Sequence, residues 1–374
     1  MKKNSRNFLF VSGNGDTFVW FRLDLMKEIQ NRGFNIYAAA PTISKENFQI
    51  LKNHDISFVS VDLQRKSLNP LNFIFSIFSL RKVIKSIKPS HIFSYMHQPT
   101  LATGLATLFF SDVKKYYMVT GLGHLFERNT FLMNLIQKPA LILFKITFNR
   151  AKRIFFQNTD DFHHFLSLSL FAEAKGKIVN GSGVNLDKFQ FSKLPSQPIF
   201  MTMGRLLESK GLREFARAAK IVKISIPDAR FLLYGYSDNH EDSIEESEIT
   251  EHWKDHYGVE FLGFSKDPAM AYLKCSTFVL LSYREGTPRS SLEAMAMGRP
   301  IITTNVPGCR ETVINNKNGY LVAVKDHEEA AQAMIKLCDK DIREEMGLQS
   351  FNLAKDKFDV KKVNASIIEC LELN

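Results

Sequence analysis

Short apolar runs alternate with amphipathic stretches from the first residues of the chain onward. Residues 8–11 form an apolar run of strand length, and residues 20–29 show the spacing of an amphipathic helix that ends before Gly33. Further strands are predicted at 36–40, 57–61, 91–96, 115–120 and 154–157, and further helices at 71–87, 101–109 and within 133–148. Strands that alternate with helices in this way indicate a parallel sheet covered by helices on both faces.

A second series of alternating elements begins after Pro195 and Pro198. Strands are predicted at 199–203, 230–235, 259–262, 278–281, 300–304 and 320–322, with a helix at 212–224. The stretch 191–198 is the predicted linker, and the final helix, about 360–373, fits either domain. We therefore expect an α/β protein of two Rossmann-like, doubly wound domains that face each other across a cleft. Ligands of such sheets lie beyond the carboxyl ends of the strands, so the cleft is the expected active site.

The charge of the chain is distributed unevenly. Over 374 residues the net charge is +10, but residues 1–190 hold 25 Lys and Arg against 12 Asp and Glu, a net of +13. This asymmetry suggests an anionic partner for the first half, either nucleic acid or an acidic membrane surface. The spacing of the four cysteines suggests neither a disulfide framework nor a metal site, which is typical of a reduced cytosol. The apolar run near the start is too short for a signal peptide, and the longest one, 131–148, is interrupted by Lys138, Pro139 and Lys145, so no spanning helix is expected.

The most informative segment runs from Arg284 to Met295. A predicted strand ends at Leu281, a loop carries Glu285, and a helix is predicted from about Pro288, a residue suited to a first helical turn. Backbone N–H groups and the helix dipole make such an N-terminus a phosphate site. Glu293 lies inside the helix, so the two glutamates are expected to hold two parts of one extended ligand. An isolated pair of glutamates at this spacing is more often a surface loop with a capped helix.

A second segment, Met203 to Gly211, follows the first strand of the second domain. Gly204 allows close approach of a ligand to the backbone, whereas Arg205 and Lys210 offer a planar fork and a point charge that suit a diphosphate. Either segment alone would be weak evidence. Together they place two cations and a phosphate-binding helix at the strand ends of one sheet.

These residues resemble a known family. The pairing of G-R-L-x-x-x-K-G at 204–211 with E-G-T-P-R-S-S-L-E-A-M-A-M-G-R-P at 285–300 is similar to the retaining glycosyltransferases called GT4. Tyr234-Gly235, Phe261-Leu262-Gly263, Asn318-Gly319-Tyr320 and Phe358 agree with the same family. The resemblance implies the GT-B fold, with a first domain at 1–190, a nucleotide-sugar domain at 191–355, and a last segment, 356–374, that packs back toward the first domain.

The resemblance also implies roles for individual residues at a donor site. Arg205 and Lys210 would hold the donor diphosphate, Glu293 the ribose hydroxyls, and Glu285 the donor sugar, with Arg205, Lys210 and Glu285 acting in catalysis. The remaining donor contacts would come from Gly15, Gly204, Tyr234, Leu262, Gly263, Gly286, Thr287 and Pro288. Such enzymes need no metal and no cofactor, and the sequence has no D-x-D motif that would supply a metal site.

The first domain is less informative about chemistry. Its turn Ser12-Gly13-Asn14-Gly15-Asp16 is too short for a dinucleotide-binding motif. His97 and His124 both follow predicted strands, and because the family places a histidine near the donor sugar, each is a catalytic candidate. A lone histidine is more often structural.

A basic and aromatic segment, Arg65 to Lys88, suggests contact with an anionic membrane. Aromatic and aliphatic residues are followed there by a basic cluster on one predicted helix, which is typical of an interfacial helix, although a core helix with a charged last turn is the plainer interpretation. The Ser67-Leu68-Asn69-Pro70 and Gly121-Leu122-Gly123 stretches, with the 284–290 loop, also resemble a narrower bacterial group. Its members transfer a hexose or N-acetylhexosamine, often GalNAc in α-1,3 linkage, to undecaprenyl-diphosphate sugars. That resemblance implies a UDP-sugar donor, a polyprenyl-diphosphate-sugar acceptor, and a cytoplasmic location on the inner face of the cell membrane.

Two other classes of function remain as alternatives. UDP-sugar epimerases share the two-domain architecture, and a transferase could use another donor and acceptor. A nucleic-acid-binding protein is disfavoured because the chain has no aromatic-and-basic RNA signature and no recognition-helix motif.

Overall fold

The computed structural model describes residues 6–63, 70–123, 131–237 and 242–373. The chain divides into two compact units, Met1–Ser182 with Asn364–Asn374, and Gly183–Val363. The boundaries predicted from the sequence are residue 190 for the end of the first domain and residue 356 for the start of the returning segment, against residues 182 and 364 in the structure.

Unit 1 contains a seven-stranded sheet in the order β3-β2-β1-β4-β5-β6-β7, and every pairing is parallel. Its strands are β1 Asn7–Val11, β2 Asn35–Ala40, β3 Ser57–Ser60, β4 His91–Tyr95, β5 Lys114–Val119, β6 Arg153–Phe156 and β7 Gly176–Ile178. Its helices are α1 Leu23–Gln30, α2 Lys45–Asn53, α3 Pro70–Ile87, α4 His97–Ala106, α5 Phe131–Asn149 and α6 Thr159–Ser167. The predicted strands and helices of the first half all appear.

The central strands of unit 1 are continuous apolar runs because helices cover both faces of the sheet. Phe8, Leu9 and Phe10 are fully buried, and Phe8 is in register with Ile36 on one side and His91 on the other. Six phenylalanines form one cluster with α5 and α6, in which most ring pairs are edge to face or tilted and Phe156 stacks on Phe171: Phe144, Phe148, Phe156, Phe162, Phe165 and Phe171. The backbones of α4 and α5 approach closely, since a Cβ atom at Gly104 would lie 2.3 Å from Thr147 Oγ1.

The C-terminal residues are part of unit 1. Tyr116 donates its hydroxyl proton to the carbonyl of Leu371 at 2.6 Å, and His91 donates through Nε2 to the carbonyl of Glu372 at 3.2 Å. Asn364 donates to Glu28 at 3.0 Å. Burial lowers the pKa of His91, whose ring stacks on Phe8.

Unit 2 contains a six-stranded parallel sheet in the order β10-β9-β8-β11-β12-β13. Its strands are β8 Ile199–Arg205, β9 Arg230–Tyr236, β10 Val259–Phe261, β11 Thr277–Leu280, β12 Ile301–Thr304 and β13 Gly319–Val322. Its helices are α7 Leu212–Ser225, α8 Glu246–Glu248, α9 Lys254–Tyr257, α10 Pro268–Tyr272, α11 Arg289–Ala296, α12 His327–Lys336, α13 Lys340–Leu353 and α14 Val360–Ile368, the last of which continues into the returning segment of unit 1.

The predicted linker, 191–198, is held to unit 2 by two buried arginines. Arg299 donates to Ser192, and Arg343 donates to the carbonyl of Ser196 at 2.8 Å. Both guanidinium groups otherwise bond backbone carbonyls, Arg299 that of Cys275 and Arg343 those of Leu337 and Cys338. Such bonds satisfy carbonyls that would otherwise be buried without partners.

None of the described helices is long and apolar enough to cross a membrane. The apolar stretch at 131–148 is α5, which carries Pro139 in its interior.

Candidate functional site

The sheet of unit 2 reverses its strand order between β8 and β11, which are hydrogen-bonded neighbours. The chain leaves β8 toward β9 on one side, and β11 continues toward β12 on the other. Loops after two such strands diverge and leave a crevice at the carboxyl ends, where ligands of doubly wound sheets bind. The two segments singled out in the sequence are the loops that follow β8 and β11.

The loop after β8 is held tightly against the end of β11. Arg205 is the last residue of β8, and Lys210 ends a short 3₁₀ turn, Glu208–Lys210. Gly211 follows with φ +68°, and a Cβ atom there would lie 2.1 Å from the carbonyl oxygen of Leu281. Only glycine fits this position, because other residues avoid the left-handed conformation and lack the space.

An ion pair joins the two loops. Lys210 contacts Oε1 of Glu285, and Ser282 donates its hydroxyl proton to the same oxygen at 2.8 Å. The amide of Tyr283 donates to the carbonyl of Ser209 at 2.9 Å. The residues predicted to hold diphosphate and sugar are therefore in direct contact.

The loop that carries Glu285 and Gly286 rests on the segment after β12. The Glu285 amide donates to the carbonyl of Pro307 at 3.1 Å. Gly308 has φ +85°, and a Cβ atom there would lie 2.2 Å from the Glu285 carbonyl oxygen. Gly308 thus allows the segment after β12 to pack closely against the backbone of the Glu285 loop and hold it in place.

Helix α11 begins immediately after this loop. Pro288 is its N-cap residue, and the helix starts at Arg289, one residue later than predicted. Thr287 and Pro288 are buried at its amino end, where the helix dipole favours an anion.

Glu293 lies inside α11 and both of its oxygens have partners. Oε1 accepts from Arg289 Nε at 2.8 Å, and Oε2 lies 3.2 Å from the hydroxyl of Tyr272. The same hydroxyl lies 3.0 Å from the carbonyl of Ser290, so its one proton can serve only one of the two acceptors at a time. Burial and the nearby Glu293 carboxylate raise the pKa of Tyr272 well above its usual value, so this hydroxyl stays protonated.

The glycines predicted to approach a ligand have open space around them. No atom lies within 4 Å of a Cβ built on Gly204 or on Gly263, and Gly263 has φ +67°. The carbonyl of Gly263 accepts from the Gly235 amide at 3.0 Å, which places it beside the end of β9, and Leu262 is 42% exposed. Tyr234, by contrast, has its side chain buried in an apolar cluster of unit 2.

Unit 1 has its own reversal of strand order, between β1 and β4. After β1, the hydroxyls of Ser12 and Thr17 lie 2.9 Å apart, and Thr17 lies 2.8 Å from the hydroxyl of Tyr95 at the end of β4. Gly15 has a structural reason to be glycine, because a Cβ atom there would lie 2.6 Å from the Thr42 carbonyl oxygen. Met96 has φ +67° and ψ 154°, a conformation that strains any residue but glycine and that tends to occur at functional sites.

His97 begins α4 next to this strained residue. Its Nε2 donates to the carbonyl of Gly121 at 2.8 Å, which ties the loop after β4 to the loop after β5. Burial lowers the pKa of His97, so the ring is neutral at pH 7. The other histidine candidate, His124, lies outside the described residues, as do Arg65 and Lys66 of the predicted membrane segment.

Several residues that hold the site's side chains in place were not predicted from the sequence. Ser282 binds Glu285, and Tyr272 reaches Glu293 from a helix 21 positions earlier in the chain. The hydroxyl of Tyr283 donates to Glu214 Oε1 at 2.9 Å, which anchors the Glu285 loop to α7. A tyrosine directly before the R-E-G motif was the available clue. Among the described residues, no group of three or more His, Cys, Asp or Glu could hold a metal ion.

Comparison with known proteins identifies the class of enzyme. A family model described as "Glycosyl transferases group 1" matches residues 184–350, and one described as "Glycosyl transferase 4-like" matches residues 8–158. Together they cover most of the chain and follow its two units. The chain therefore belongs to the glycosyltransferases and, with its two Rossmann-like units, has the GT-B fold.

Individual relatives narrow the comparison. The chain is 27% identical over 362 residues to the N,N'-diacetylbacillosaminyl-diphospho-undecaprenol α-1,3-N-acetylgalactosaminyltransferase of Campylobacter jejuni, a match that covers 93% of this chain and 92% of that protein. It is 28% identical over 174 residues to the Escherichia coli UDP-Gal:α-D-GlcNAc-diphosphoundecaprenol α-1,3-galactosyltransferase, covering 44% of this chain and 42% of that protein. Its fold is similar to that of Anabaena HepE solved with UDP and glucose, with a TM-score of 0.78, 18% identity, and coverage of 98% and 99% of the two chains.

Proposed function

We propose that this enzyme transfers a hexose or N-acetylhexosamine from a UDP-sugar to a polyprenyl-diphosphate-linked sugar in bacterial glycan, O-antigen or capsule assembly. The best candidate is GalNAc in α-1,3 linkage. The observation that carries the proposal is the Lys210–Glu285 contact at the carboxyl ends of β8 and β11, next to the amino end of α11. The Campylobacter jejuni and Escherichia coli relatives are both named for a diphospho-undecaprenol sugar acceptor, which supports this acceptor class.

The donor site would act mainly on the leaving group. Breaking the anomeric C–O bond leaves positive character on the sugar and an additional negative charge on the departing diphosphate. Arg205, Lys210 and the dipole of α11 would stabilise that charge in a site with little water. Glu293 would accept hydrogen bonds from the ribose hydroxyls, with Arg289 and Tyr272 holding its carboxylate in place.

Retention of configuration is part of the proposal on the basis of the family resemblance. The acceptor hydroxyl would attack from the face that the diphosphate leaves, and a diphosphate oxygen would take the acceptor proton. The new glycosidic bond then forms on the same face as the bond that breaks. No metal or cofactor enters this scheme.

A donor screen tests the proposal directly. The protein is incubated with UDP-GlcNAc, UDP-GalNAc, UDP-Glc, UDP-Gal or GDP-Man, each with and without a short polyprenyl-diphosphate-HexNAc, and release of UDP or GDP is followed. We expect acceptor-dependent release with one donor and a loss of about 100-fold or more in kcat for Lys210→Ala, the scale found when one group that stabilises developing charge is removed. Absence of both release and saturable nucleotide binding would overturn the proposal.

The same assay separates transfer from epimerisation. A UDP-sugar epimerase would change UDP-GlcNAc without any acceptor, and NMR of the sugar nucleotide would show the change. The match of residues 184–350, which include Gly204-Arg205 and the Glu285–Glu293 segment, to a glycosyltransferase family model favours transfer.

We further propose that unit 1 binds the anionic inner face of the cell membrane through α3. Large apolar side chains on one face of this helix are exposed: Leu71 by 62%, Ile74 by 45%, Phe75 by 61% and Phe78 by 63%. The spacing of three, four and seven residues is that of a single helical stripe. An exposed apolar stripe of this kind marks an interaction surface.

Exposed lysines lie on the same face of α3, between the apolar stripe and the end of the helix. Lys82 and Lys85 follow Phe78 at helical spacing and are exposed. Arg81 lies over the ring of Phe109 at 5.6 Å, and Phe109 is 82% exposed, so the apolar surface extends past α4. Apolar side chains beside lysines suit insertion into the headgroup region of an anionic bilayer.

Sedimentation with vesicles tests the membrane contact. In the absence of detergent and at low salt, the protein should sediment with vesicles that contain anionic lipid and remain in solution with neutral ones. Failure to bind the anionic vesicles, or burial of the stripe in a dimer seen by light scattering, would refute it.

A further inference from the structure

The contact between Lys210 and Glu285 joins two residues that are assigned to different parts of the donor. Their side chains are 20% and 15% exposed, so solvent screens the ion pair only partly. Ser282 donates to the same carboxylate oxygen that Lys210 contacts. The site thus holds a carboxylate against the ammonium group that the diphosphate is expected to use.

A diphosphate and the Glu285 carboxylate are competitors for this ammonium group. The Lys210 side chain is a flexible point charge, so it can turn from one anion to the other. When it turns to a diphosphate, the Glu285 carboxylate loses its cation while it stays close to a second anion. That displacement has a cost unless new hydrogen-bond donors reach the carboxylate.

A sugar nucleotide brings such donors on its sugar, whereas the hydroxyl groups of a nucleoside diphosphate are those of its ribose, which are assigned to Glu293. The hydroxyl groups of the sugar can donate to Glu285 after it leaves Lys210. With UDP alone, Ser282 is left as the donor to the displaced carboxylate. We infer that Glu285 exchanges between Lys210 and the donor sugar, and that this exchange makes the site discriminate against UDP, the product that must leave. The inference rests on the proposed use of a UDP-sugar.

Substitution of Glu285 by glutamine provides the test. Glu285→Gln keeps the shape and an acceptor for Ser282 but removes the charge that competes with the diphosphate. Titration calorimetry is carried out with UDP and with the UDP-sugar that the donor screen selects. We expect UDP to bind Glu285→Gln about 3- to 10-fold more tightly than wild type, a gain of about 0.7–1.4 kcal/mol, while the sugar nucleotide binds no more tightly.

Glu293→Gln is the matched control, because it removes the other carboxylate of the same loop and helix. It should weaken UDP and the UDP-sugar alike, since both contain the ribose. A thermal melt of each variant checks that it is folded, and Glu285→Ala serves as a second variant with the same expected gain in UDP affinity.

The possible outcomes separate the two claims. If wild type binds UDP but neither Glu285 variant binds it more tightly, competition is refuted and the proposed function stands. If wild type binds no uridine nucleotide at all, the proposed function fails and the inference fails with it.

Discussion

Gly204 and Gly211 lie at the two ends of the segment that carries Arg205 and Lys210, and alanine at each should have a different effect. Alanine at Gly211 must adopt φ +68° with its Cβ atom 2.1 Å from the carbonyl oxygen of Leu281. The left-handed conformation costs about 1–2 kcal/mol, and the overlap forces a shift that costs about 1–3 kcal/mol more. We therefore expect Gly211→Ala to lower the free energy of unfolding of unit 2 by about 2–5 kcal/mol, and its melting temperature by about 4 °C or more.

Alanine at Gly204 should not lower the free energy of unfolding. No atom lies within 4 Å of its Cβ position, and the backbone there is not left-handed. Alanine is in fact preferred over glycine within a strand by about 0.5–1 kcal/mol. If a diphosphate approaches the backbone at this point, however, the added methyl group occupies its space, and UDP affinity should fall about 10-fold or more, which is about 1.4 kcal/mol.

Thermal melts followed by circular dichroism and titration with UDP measure both effects on the same samples. We expect Gly211→Ala to lower the melting temperature, and Gly204→Ala to lower the affinity for UDP without lowering the melting temperature. Wild-type affinity in Gly204→Ala would show that no phosphate approaches the backbone there. An unchanged melting temperature in Gly211→Ala would contradict the tight packing of this loop against β11.

Two further predictions concern unit 1. The double substitution Phe75→Ser with Phe78→Ser should weaken binding to anionic vesicles by about 2–4 kcal/mol, roughly 30-fold or more, because each ring has about 60% of its surface to bury. The control is Ile224→Ser, at an 80% exposed position of unit 2, which should have no effect in the same sedimentation assay. The free energy of unfolding should fall as the pH drops from about 7.5 to 5.5. Burial lowers the pKa values of His91 and His97 below their usual 6.5, so the unfolded chain binds more protons than the folded one in this range. In thermal melts across this range, the melting temperature of His97→Gln should depend less steeply on pH than that of the wild type. An equal dependence would show that burial of His97 does not contribute to the pH dependence of stability.

Much of the fold could be predicted from the sequence because each strand is a compact apolar run. The strand predicted at 199–203 is β8, Ile199–Arg205, and the predicted strand at 278–281 is β11, Thr277–Leu280. Helix α4 begins at His97 rather than at residue 101, because its polar first turn, which contains Pro99, has no apolar periodicity. Strand β7 was not predicted, since its three residues are largely exposed at the sheet edge.

The site was predictable only where its residues are close in the sequence. The segments around Lys210 and Glu285 each indicated phosphate chemistry, but their ion pair joins positions 75 apart and depends on β8 and β11 being neighbours. The same is true of the Tyr283–Glu214 hydrogen bond, which joins positions 69 apart. Tertiary contacts of this kind follow from strand order, which local patterns do not specify.

The signs of the charges in unit 2 restrict the kind of ligand that the site can suit. A site built for phosphate alone would have no reason to keep Glu285 and Glu293 beside the amino end of α11, because carboxylates repel phosphates. Beside a phosphate, such carboxylates are better suited to a ligand that also brings hydroxyl groups to donate to them. A nucleotide sugar, the proposed donor, is such a ligand, since its diphosphate would suit Arg205 and Lys210 while its ribose and sugar hydroxyls would suit the two glutamates. The contact between Lys210 and Glu285 agrees with this argument, because the ammonium group and the Ser282 hydroxyl together keep a partly buried carboxylate from being left unpaired.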